Sequence, residues 1–384
     1  MRNYDAIVIG LGAMGSAALY QLASRGARVL GIDRYAPPHE EGSSHGETRI
    51  TRLAIGEGDH YTPLVKRSHA IWRALEKETG ADLLTQCGEL IISSAARKSS
   101  IHVEGFFQNT VDAARAHGIA HELLDAAQIR ARFPLFKVRD DESGYFEPEA
   151  GFVRPEACIA ALLSAAEKRG AEIRRNEIVE TFESSASGVT VTTDRGTYSA
   201  DKIIVAAGAW LPRLLGGDFT RLLTVYPQLL HWFAIESDAR AYAPDRFPVF
   251  IWELADWKYG VYGFPSLDGK SIKVATEQYE MTASPGAVEI PDQEAAAIHA
   301  GIVAPNIRGI APLSLRSSVC LYTVTPDAGF IIDRLPGSER VIVASCCSGH
   351  GFKHSPAVGQ ILADMVQGRA GEFDVAPYRL ARFG

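Results

Sequence analysis

The chain has 384 residues, of which 46% are hydrophobic and 22% are charged, and its formal net charge is -7. This length and composition predict a globular protein of two domains, each large enough to bury its own core. The basic residues are scattered, which argues against nucleic acid as a partner, and no apolar run approaches the ~20 residues that a membrane helix needs. The N-terminus lacks the layout of a signal peptide, so we expect a cytoplasmic protein.

The five cysteines, an odd number at irregular spacings, do not describe a disulfide framework. No spacing of Cys and His fits a zinc site, so no metal is expected. In a reducing compartment most of these thiols are expected to be small buried apolar residues. They are Cys87, Cys158, Cys320, Cys346 and Cys347.

The N-terminal segment has the pattern of a βαβ unit. A strand at Ala6–Ile9 runs into the glycine-rich turn Gly10–Gly15, and a helix follows through Ala23. Gly26 ends this helix, and a second strand, Arg28–Ile32, leads directly to an aspartate.

Later segments alternate between helical and strand-like patterns. Helices are predicted at Tyr61–Thr79, Val103–His117, Pro155–Arg169, Gln293–Val303 and Val358–Gln367. Strands are predicted at Glu89–Ser93, Glu172–Thr181, Gly188–Thr193, Lys202–Ala206 and Val341–Ala344. A strand-rich sheet is predicted over Tyr226–Tyr279, and a surface loop at Ser284–Pro291. Elements typical of a dinucleotide-binding domain occur at both ends of the chain, and the segment between them has a different pattern. This arrangement predicts interleaved domains. The expected division is a cofactor domain of residues 1–84, 146–218 and 319–384, and a substrate domain of residues 85–145 and 219–318.

The glycine-rich turn predicts a dinucleotide-binding site, because it lies between a strand and a helix and Asp33 follows at the end of the next strand. Gly10 permits the tight turn, Gly12 lets a pyrophosphate approach the backbone, and Gly15 lets helix and strand pack closely. The unit does not itself choose between NAD and FAD. Two further strand-to-glycine turns, in residues 202–210 and 329–351, favour FAD, since a longer cofactor needs several close backbone approaches.

Several separate motifs resemble the monomeric sarcosine oxidase family, which includes N-methyltryptophan oxidase and pipecolate oxidase. They are Gly10–Gly15, Gly42–Ile50, Tyr262–Pro265, Ser318–Thr323 and Ser348–Lys353, in the family's order along nearly the whole chain. The resemblance implies an α/β flavoprotein of the glutathione-reductase type, with an FAD-binding Rossmann domain and an interleaved, sheet-rich substrate domain. It also implies a monomeric oxidase that acts on secondary amino acids (N-methyl, N-alkyl or cyclic) and passes electrons to O2.

By the same resemblance, Cys320 is the residue that links covalently to the 8α-methyl group of FAD. A thiolate is needed there, and His45 and Arg49 lie in a loop that could supply positive charge. The residues implied to bind the cofactor are Gly10, Gly12, Met14, Gly15, Asp33, Ser43, His45, Thr48, Arg49, Val179, Gly208, Trp210, Cys320, Gly349, Gly351 and Lys353.

The resemblance places Arg52 and Lys353 at the substrate carboxylate, where each charge at about 4 Å contributes on the order of 4 kcal/mol at an effective dielectric near 20. Lys273 matches the family's oxygen-activating lysine, whose charge would stabilise developing superoxide. Tyr262 and Tyr322 are expected to line the substrate pocket. The expected catalytic residues are Arg49, Tyr262, Lys273 and Glu277.

Position 277 departs from the sarcosine-type pattern, because Glu277 stands where those enzymes carry a histidine. The fructosyl amino acid oxidases resemble this arrangement, so a larger hydroxylated N-substituent is an open alternative, as is an outward-pointing Glu277 without a role. Further alternatives are a dehydrogenase of the same fold with another electron acceptor and a flavin-binding protein without turnover. An NAD-dependent dehydrogenase has only the shared βαβ unit in its favour.

Overall fold

The structure is a computed structural model that describes residues 3–97, 101–286, 288, 290–291 and 293–384. Its strands are β1 Asn3–Ile9, β2 Val29–Ile32, β3 Arg49–Thr51, β4 Leu84–Gln86, β5 Glu89–Ser94, β6 Glu122–Asp125, β7 Glu142–Glu147, β8 Gly151–Val153, β9 Glu172–Arg174, β10 Val179–Ser185, β11 Gly188–Thr193, β12 Gly196–Val205, β13 Thr224–Ile235, β14 Val249–Glu253, β15 Val261–Phe264, β16 Ser271–Thr276, β17 Ile310–Val324, β18 Ile331–Arg334 and β19 Val341–Ser345. Its α-helices are α1 Ala13–Ser24, α2 Thr62–Thr79, α3 Phe106–Ala116, α4 Ala126–Arg132, α5 Pro155–Lys168, α6 Leu211–Leu215, α7 Phe219–Leu222, α8 Glu294–Ile298, α9 Ala304–Asn306 and α10 Ser355–Gln367.

The first sheet is built on parallel strands in the order β9-β2-β1-β12, with β19 also parallel to the carboxyl half of β12. The strands β10, β11 and β18 add antiparallel pairs at its margins. The helix α1 crosses from β1 to β2 and packs against α5 and α10. These helices cover one face, and a second apolar cluster that includes Ile7 and Leu30 covers the other. The central strands are therefore continuous apolar runs such as Val29–Ile32, which is fully buried.

The second sheet has eight strands in the order β17-β13-β16-β15-β14-β5-β7-β6, and β3, β8 and β4 form a small third sheet. A separate apolar core, which includes Phe136, Trp252 and Ile302, lies against the second sheet. The chain passes repeatedly between the first and second sheets, in keeping with the mixed α/β flavoprotein fold expected from the sequence. The residue limits of the two domains stay a prediction.

Three predicted elements differ from the structure. The strand predicted at Glu172–Thr181 is two strands, β9 and β10, separated by a turn in which Asn176 has a φ of 55°. The helix predicted from Val103 begins only at Phe106, after Gly105 in a left-handed conformation. The helix predicted at Gln293–Val303 changes to a π-turn at His299. Positions 287 and 289 of the predicted surface loop lie outside the described residues.

The strand β17 was not predicted, although it spans 15 residues and carries Cys320. It pairs along its length with β13, so that Cys320 lies opposite Gln228 and Tyr322 opposite Tyr226. Its exposure changes along its length: the first half is largely exposed and Cys320–Thr323 are buried. A strand that passes from surface to interior has no single alternation of polar and apolar residues, which explains why pattern reading overlooked it.

Candidate active site

A cavity of about 600 Å³ opens at the carboxyl ends of four parallel strands of the first sheet. The residues at or just beyond those ends, Gly10, Asp33, Ala206 and Ser345, all line it. Ligands of open α/β sheets bind at this edge, since the turns after the strands present backbone groups there. The position of the cavity therefore follows from the strand order.

The glycine-rich turn forms one end of this cavity. Gly10 has a φ of 85°, and a Cβ there would lie 2.7 Å from the carbonyl oxygen of Ala206. A Cβ on Gly15 would lie 1.7 Å from the Gly10 oxygen, so only glycine allows this packing. A Cβ on Gly12 would meet only the Ser44 hydroxyl, at 3.7 Å, because Gly12 faces the cavity. Gly12 is also the N-cap of α1 without a side-chain cap, which leaves N–H groups directed to an anion.

Asp33 lies where the sequence predicts a ribose-binding carboxylate. Its Oδ2 accepts a hydrogen bond from the Leu11 amide at 2.7 Å and its Oδ1 accepts one from the Tyr35 amide at 2.8 Å. These contacts fix the carboxylate at the cavity wall. Val179, Gly208 and Trp210 line the same part of the cavity.

The loop of residues 42–49 is held from two sides. The Glu156 carboxylate accepts hydrogen bonds from the amides of Gly46, at 2.6 Å, and Glu47, at 3.0 Å. On the other side, Lys273 Nζ donates to the carbonyl oxygens of Gly46, at 2.7 Å, and Thr48, at 2.8 Å. The loop consequently presents Ser43, Ser44 and Arg49 to the cavity in fixed positions.

Cys320 is buried behind the cavity-lining residues Ser43 and Arg49. Its Sγ lies 3.1 Å from Arg49 Nη2 and donates to the Ser43 carbonyl oxygen at 3.3 Å. Burial raises the pKa of the Cys320 thiol, whereas the Arg49 guanidinium beside it lowers that pKa. Arg49 is thus the cation that favours the thiolate, as the sequence suggested.

His45 does not supply the second positive charge that was expected. Burial, followed by the charge of Arg49, lowers the pKa of His45 to about 4, so its imidazole is neutral near pH 7. Its Nε2 contacts the Gly42 carbonyl oxygen at 3.0 Å. The prediction failed because the charge of a histidine depends on burial, which a loop sequence does not reveal.

Arg52 and Lys353 come together, but a carboxylate that the sequence analysis missed lies between them. Arg52 Nη2 donates to both oxygens of Glu57, at 2.8 and 2.7 Å, and Lys353 Nζ lies 3.6 Å from Glu57 Oε1. Despite the burial of Glu57, these cations hold its pKa well below the usual range. Burial raises the pKa of the nearby Glu89 to about 8 and lowers that of Lys353 to about 8.

Lys273 is buried on β16, and its ammonium lies 3.9 Å from the ring centroid of Phe264. Burial, and then the charge of Arg49, lowers the pKa of Lys273 well below its usual range. Its two contacts with backbone carbonyls fix the amine behind the loop that carries Arg49. Lys273 does not itself line the cavity described above.

Glu277 points inward, which settles one of the alternatives left open by the sequence. Its side chain is 3% exposed, and its Oε1 lies 3.2 Å from Nε2 of His102. Tyr262 and Tyr322 contact one another through their hydroxyls at 3.3 Å, and Tyr322 lines the cavity. Burial raises the pKa of both tyrosines, and the Glu277 carboxylate adds to this effect.

Most of the predicted cofactor residues therefore surround one cavity. Those that line it are Gly10, Gly12, Met14, Asp33, Ser43, Arg49, Val179, Gly208, Trp210, Gly349 and Gly351. Those that lie behind this lining are Gly15, His45, Thr48, Cys320 and Lys353. Sequence reasoning missed the cavity-lining residues Arg34, Tyr35, His39, Glu177, Arg213 and Cys347, the buried side chains of Glu57 and His102, and the half-buried Tyr279. Of these residues, only Arg34 and Tyr35 could have been found from the sequence, because they directly follow Asp33.

The residues around the cavity fit FAD. The uncapped end of α1 and the open face of Gly12 suit a pyrophosphate, and Asp33 suits the ribose next to it. In the described part of the chain, Thr48 Oγ1, His45 Nδ1 and Thr323 Oγ1 are buried without a hydrogen-bond partner, and Thr323 lines the cavity near Cys320. Such polar atoms are suited to a polar ring system at that end.

A cavity lined both by a glycine-rich turn and by residues of a second, sheet-rich region is typical of a dinucleotide-dependent oxidoreductase. The family described as FAD dependent oxidoreductase matches residues 5–365. Monomeric sarcosine oxidase of Streptomyces avermitilis is 38% identical over 370 residues, covering 94% of this chain and 93% of the relative. N-methyl-L-tryptophan oxidase of Yersinia pestis is 37% identical over 384 residues, covering 99% and 100%.

Among solved structures, NikD, an unusual amino acid oxidase essential for nikkomycin biosynthesis, has a TM-score of 0.84 and 26% identity, covering 99% of this chain and 98% of that one. The chain belongs to the FAD-dependent oxidoreductase family, with the monomeric sarcosine oxidases and N-methyltryptophan oxidases. It is an amine-oxidising flavoenzyme that uses FAD, and the resemblance stated from the sequence motifs is confirmed.

None of the helices in the described residues has the length and apolar character needed to cross a membrane. Within the same residues, no group of three or more His, Cys, Asp or Glu side chains is arranged to hold a metal ion.

Proposed function

We propose that this enzyme oxidises the C–N bond of a secondary amino acid, with an N-methyl, N-alkyl or cyclic nitrogen, and uses O2 as the electron acceptor. FAD, when bound, would supply the acceptor for the hydride of the carbon next to nitrogen and the route by which both electrons reach O2 as hydrogen peroxide. The imine would then hydrolyse in water. The names of the two curated relatives, a sarcosine oxidase and an N-methyl-L-tryptophan oxidase, support this substrate class.

The observation that carries the proposal is the charge of the Arg52–Lys353 pair. Near pH 7 these two cations face one ionised carboxylate, Glu57, because Glu89 has a pKa of about 8 and is protonated. Among these four groups one positive charge is left over. Lys353 lies behind the cavity lining, directly after Gly351 and Phe352, and from there this charge would attract a substrate carboxylate in the cavity.

The remaining residues divide the chemistry between them. Tyr262 and Tyr322 would border the bound substrate, since their hydroxyls are paired at the cavity end near Cys320. Glu277 would face the substrate nitrogen. Lys273 would hold positive charge where O2 is reduced, since a fixed cation stabilises developing negative charge.

Cys320 would hold FAD covalently through a thioether to the 8α carbon. The S–H bond and one 8α C–H bond would break, and the two electrons would pass through the flavin to O2. The support is the position of the thiol: it is buried behind the cavity lining, 3.1 Å from the Arg49 guanidinium. A neighbouring cation favours the thiolate that such attachment needs. Covalent linkage predicts that wild-type protein precipitated with acid stays yellow and that Cys320→Ser protein precipitates white.

The proposal is tested by turnover in air. Sarcosine, N-methyltryptophan, pipecolate, proline and fructosyl glycine would be compared, with peroxide and aldehyde or imine product both quantified. We expect one peroxide per product with at least one secondary amino acid. Dye reduction without peroxide would make the enzyme a dehydrogenase, and turnover of fructosyl glycine alone would shift the substrate to a larger N-substituent.

A further inference from the structure

A cluster of three titratable side chains lies behind the cavity wall, and two of its members have no role so far. Nε2 of His102 lies 3.2 Å from Oε1 of Glu277, and Nδ1 of His102 lies 3.3 Å from the hydroxyl of Tyr279. The Tyr279 hydroxyl is 3.2 Å from the other oxygen of Glu277. The three groups therefore form a closed triangle of polar contacts.

The cluster lies against the cavity wall at Gly349, next to Tyr322. Gly349 lines the cavity, and a Cβ on it would lie 2.4 Å from Cε1 of His102 and 3.0 Å from Cε2 of Tyr322. Only a glycine lets the imidazole approach this closely. His102 also has a φ of 58°, a conformation that a residue other than glycine keeps only where its surroundings impose it.

The triangle has a defined hydrogen count. All three contacts can be hydrogen bonds at once only when three hydrogens are shared among the groups. One lies between Glu277 and Nε2, one is donated from Nδ1 to the Tyr279 oxygen, and one is donated from Tyr279 to Glu277. When the pair of Glu277 and His102 loses one proton, only two hydrogens remain, so only two of the three contacts can be hydrogen bonds. The cluster is thus built to hold one proton that it can release and take back.

The surroundings set the affinity for that proton. Burial raises the pKa of Glu277 to about 8, although the hydroxyl of Tyr279 opposes this. Burial lowers the pKa of His102 well below its usual range, although the carboxylate of Glu57, 3.8 Å from its Nε2, opposes this. The other titratable or charged groups that act on the cluster from neighbouring elements are Arg52, Tyr262, Tyr322, Cys347, His350 and Lys353.

We propose that His102 and Tyr279 are positioning residues that hold Glu277 as the acceptor of the proton from the substrate ammonium. An amino acid arrives with a protonated nitrogen, whereas loss of hydride from the neighbouring carbon needs the nitrogen lone pair. The N–H bond breaks, an O–H bond forms at Glu277 Oε1, and the proton is then shared with Nε2 of His102. No electrons are exchanged in this step. The inference rests on the proposed function and extends it to the origin of the neutral amine.

The test is the pH dependence of flavin reduction at saturating substrate, measured anaerobically by stopped flow. The limiting rate constant rises with pH as the proton acceptor becomes ionised. In His102→Leu the carboxylate loses a hydrogen-bond donor, so the midpoint of the rise moves upward by about one pH unit. His102→Gln, which keeps a donor nitrogen at nearly the same reach, restores much of the shift. Tyr279→Phe gives a smaller upward shift and disturbs the packing least.

His117→Leu is the matched control, because His117 pairs with Asp59 at 2.6 Å outside the cavity. Its midpoint equals that of the wild type. A wild-type midpoint in both His102→Leu and Tyr279→Phe, with the rate lowered equally at every pH, would overturn the proposal and leave a structural role. If no amine reduces the wild-type flavin at any pH, the proposed function itself fails, and that result is distinct from an unshifted profile. If His102→Leu does not fold, the Tyr279→Phe profile decides alone.

Discussion

Replacing Arg49 tests the link between the charge next to Cys320 and covalent attachment of FAD. Arg49 Nη2 lies 3.1 Å from the Cys320 sulfur, and unit charges at that separation interact by about 5 kcal/mol at an effective dielectric near 20. A hydrogen bond to a charged group retains about 1.5–3 kcal/mol of such an interaction as net stabilisation. That corresponds to about one to two pH units in the pKa of the thiol.

The expected result is slower attachment. In Arg49→Met, the thiolate fraction of Cys320 falls about 10- to 100-fold at neutral pH, and the rate of attachment falls with it. Burial already raises the pKa of this thiol, so the loss of the cation is not offset by water. Arg49→Lys keeps a positive charge and is expected to lie between the wild type and Arg49→Met.

The assay is reconstitution of apoprotein with FAD. Aliquots are precipitated with acid over time, and flavin that stays with the protein is quantified by absorbance. Cys320→Ser gives the zero level, and Arg213→Met replaces another cavity-lining arginine as the control. Attachment at the wild-type rate in Arg49→Met would refute the reasoning, and so would equal slowing in Arg213→Met.

Three further predictions follow from the same geometry. Lys273→Met slows reoxidation of reduced flavin by O2 by up to about a thousandfold, the effect of losing about 4 kcal/mol of charge stabilisation, while anaerobic reduction changes little. Stopped-flow mixing with O2 measures both rates, and unchanged reoxidation contradicts the assigned role. The dissociation constant for a carboxylate substrate increases as pH rises through about 8, because Lys353 loses its positive charge there and Glu89 gains a negative one. A dissociation constant that does not change between about pH 7 and 9 would argue against binding of the carboxylate by Arg52 and Lys353. Gly12→Ala lowers the FAD content but leaves the melting temperature of the apoprotein unchanged, because the new methyl group points into the cavity. Gly15→Ala, in contrast, prevents folding, because its methyl group meets the backbone of Gly10. Normal FAD content in Gly12→Ala would contradict the assigned phosphate site.

The sequence predicted the parts of the site that depend on local geometry. Gly10, Gly12 and Asp33 lie where the βαβ pattern placed them, because turn conformation and strand order are set within about thirty residues. The inward direction of Glu277 was left open, since a residue just after a strand gives no sign of which side it faces.

What the sequence could not predict arises from contacts between distant segments. Glu57 approaches Lys353 only because the segment that follows β3 and the turn after β19 meet in the fold. His102 reaches Glu277 from a loop 175 positions away along the chain. The neutral state of His45 likewise depends on burial by residues far from it in sequence. The charge and protonation state of the residues at this site therefore depend on tertiary contacts.

Anaerobic bleaching of the flavin is the most direct test of the account. Secondary amino acids are added to the oxidised enzyme without O2, next to N-alkyl amines of equal size that lack the carboxylate, and the visible absorbance of the flavin is followed. We expect complete bleaching by one equivalent of at least one secondary amino acid, far faster than by the matched amine. Absence of bleaching by every secondary amino acid tested, or equal bleaching by amines without a carboxylate, would contradict the proposed function.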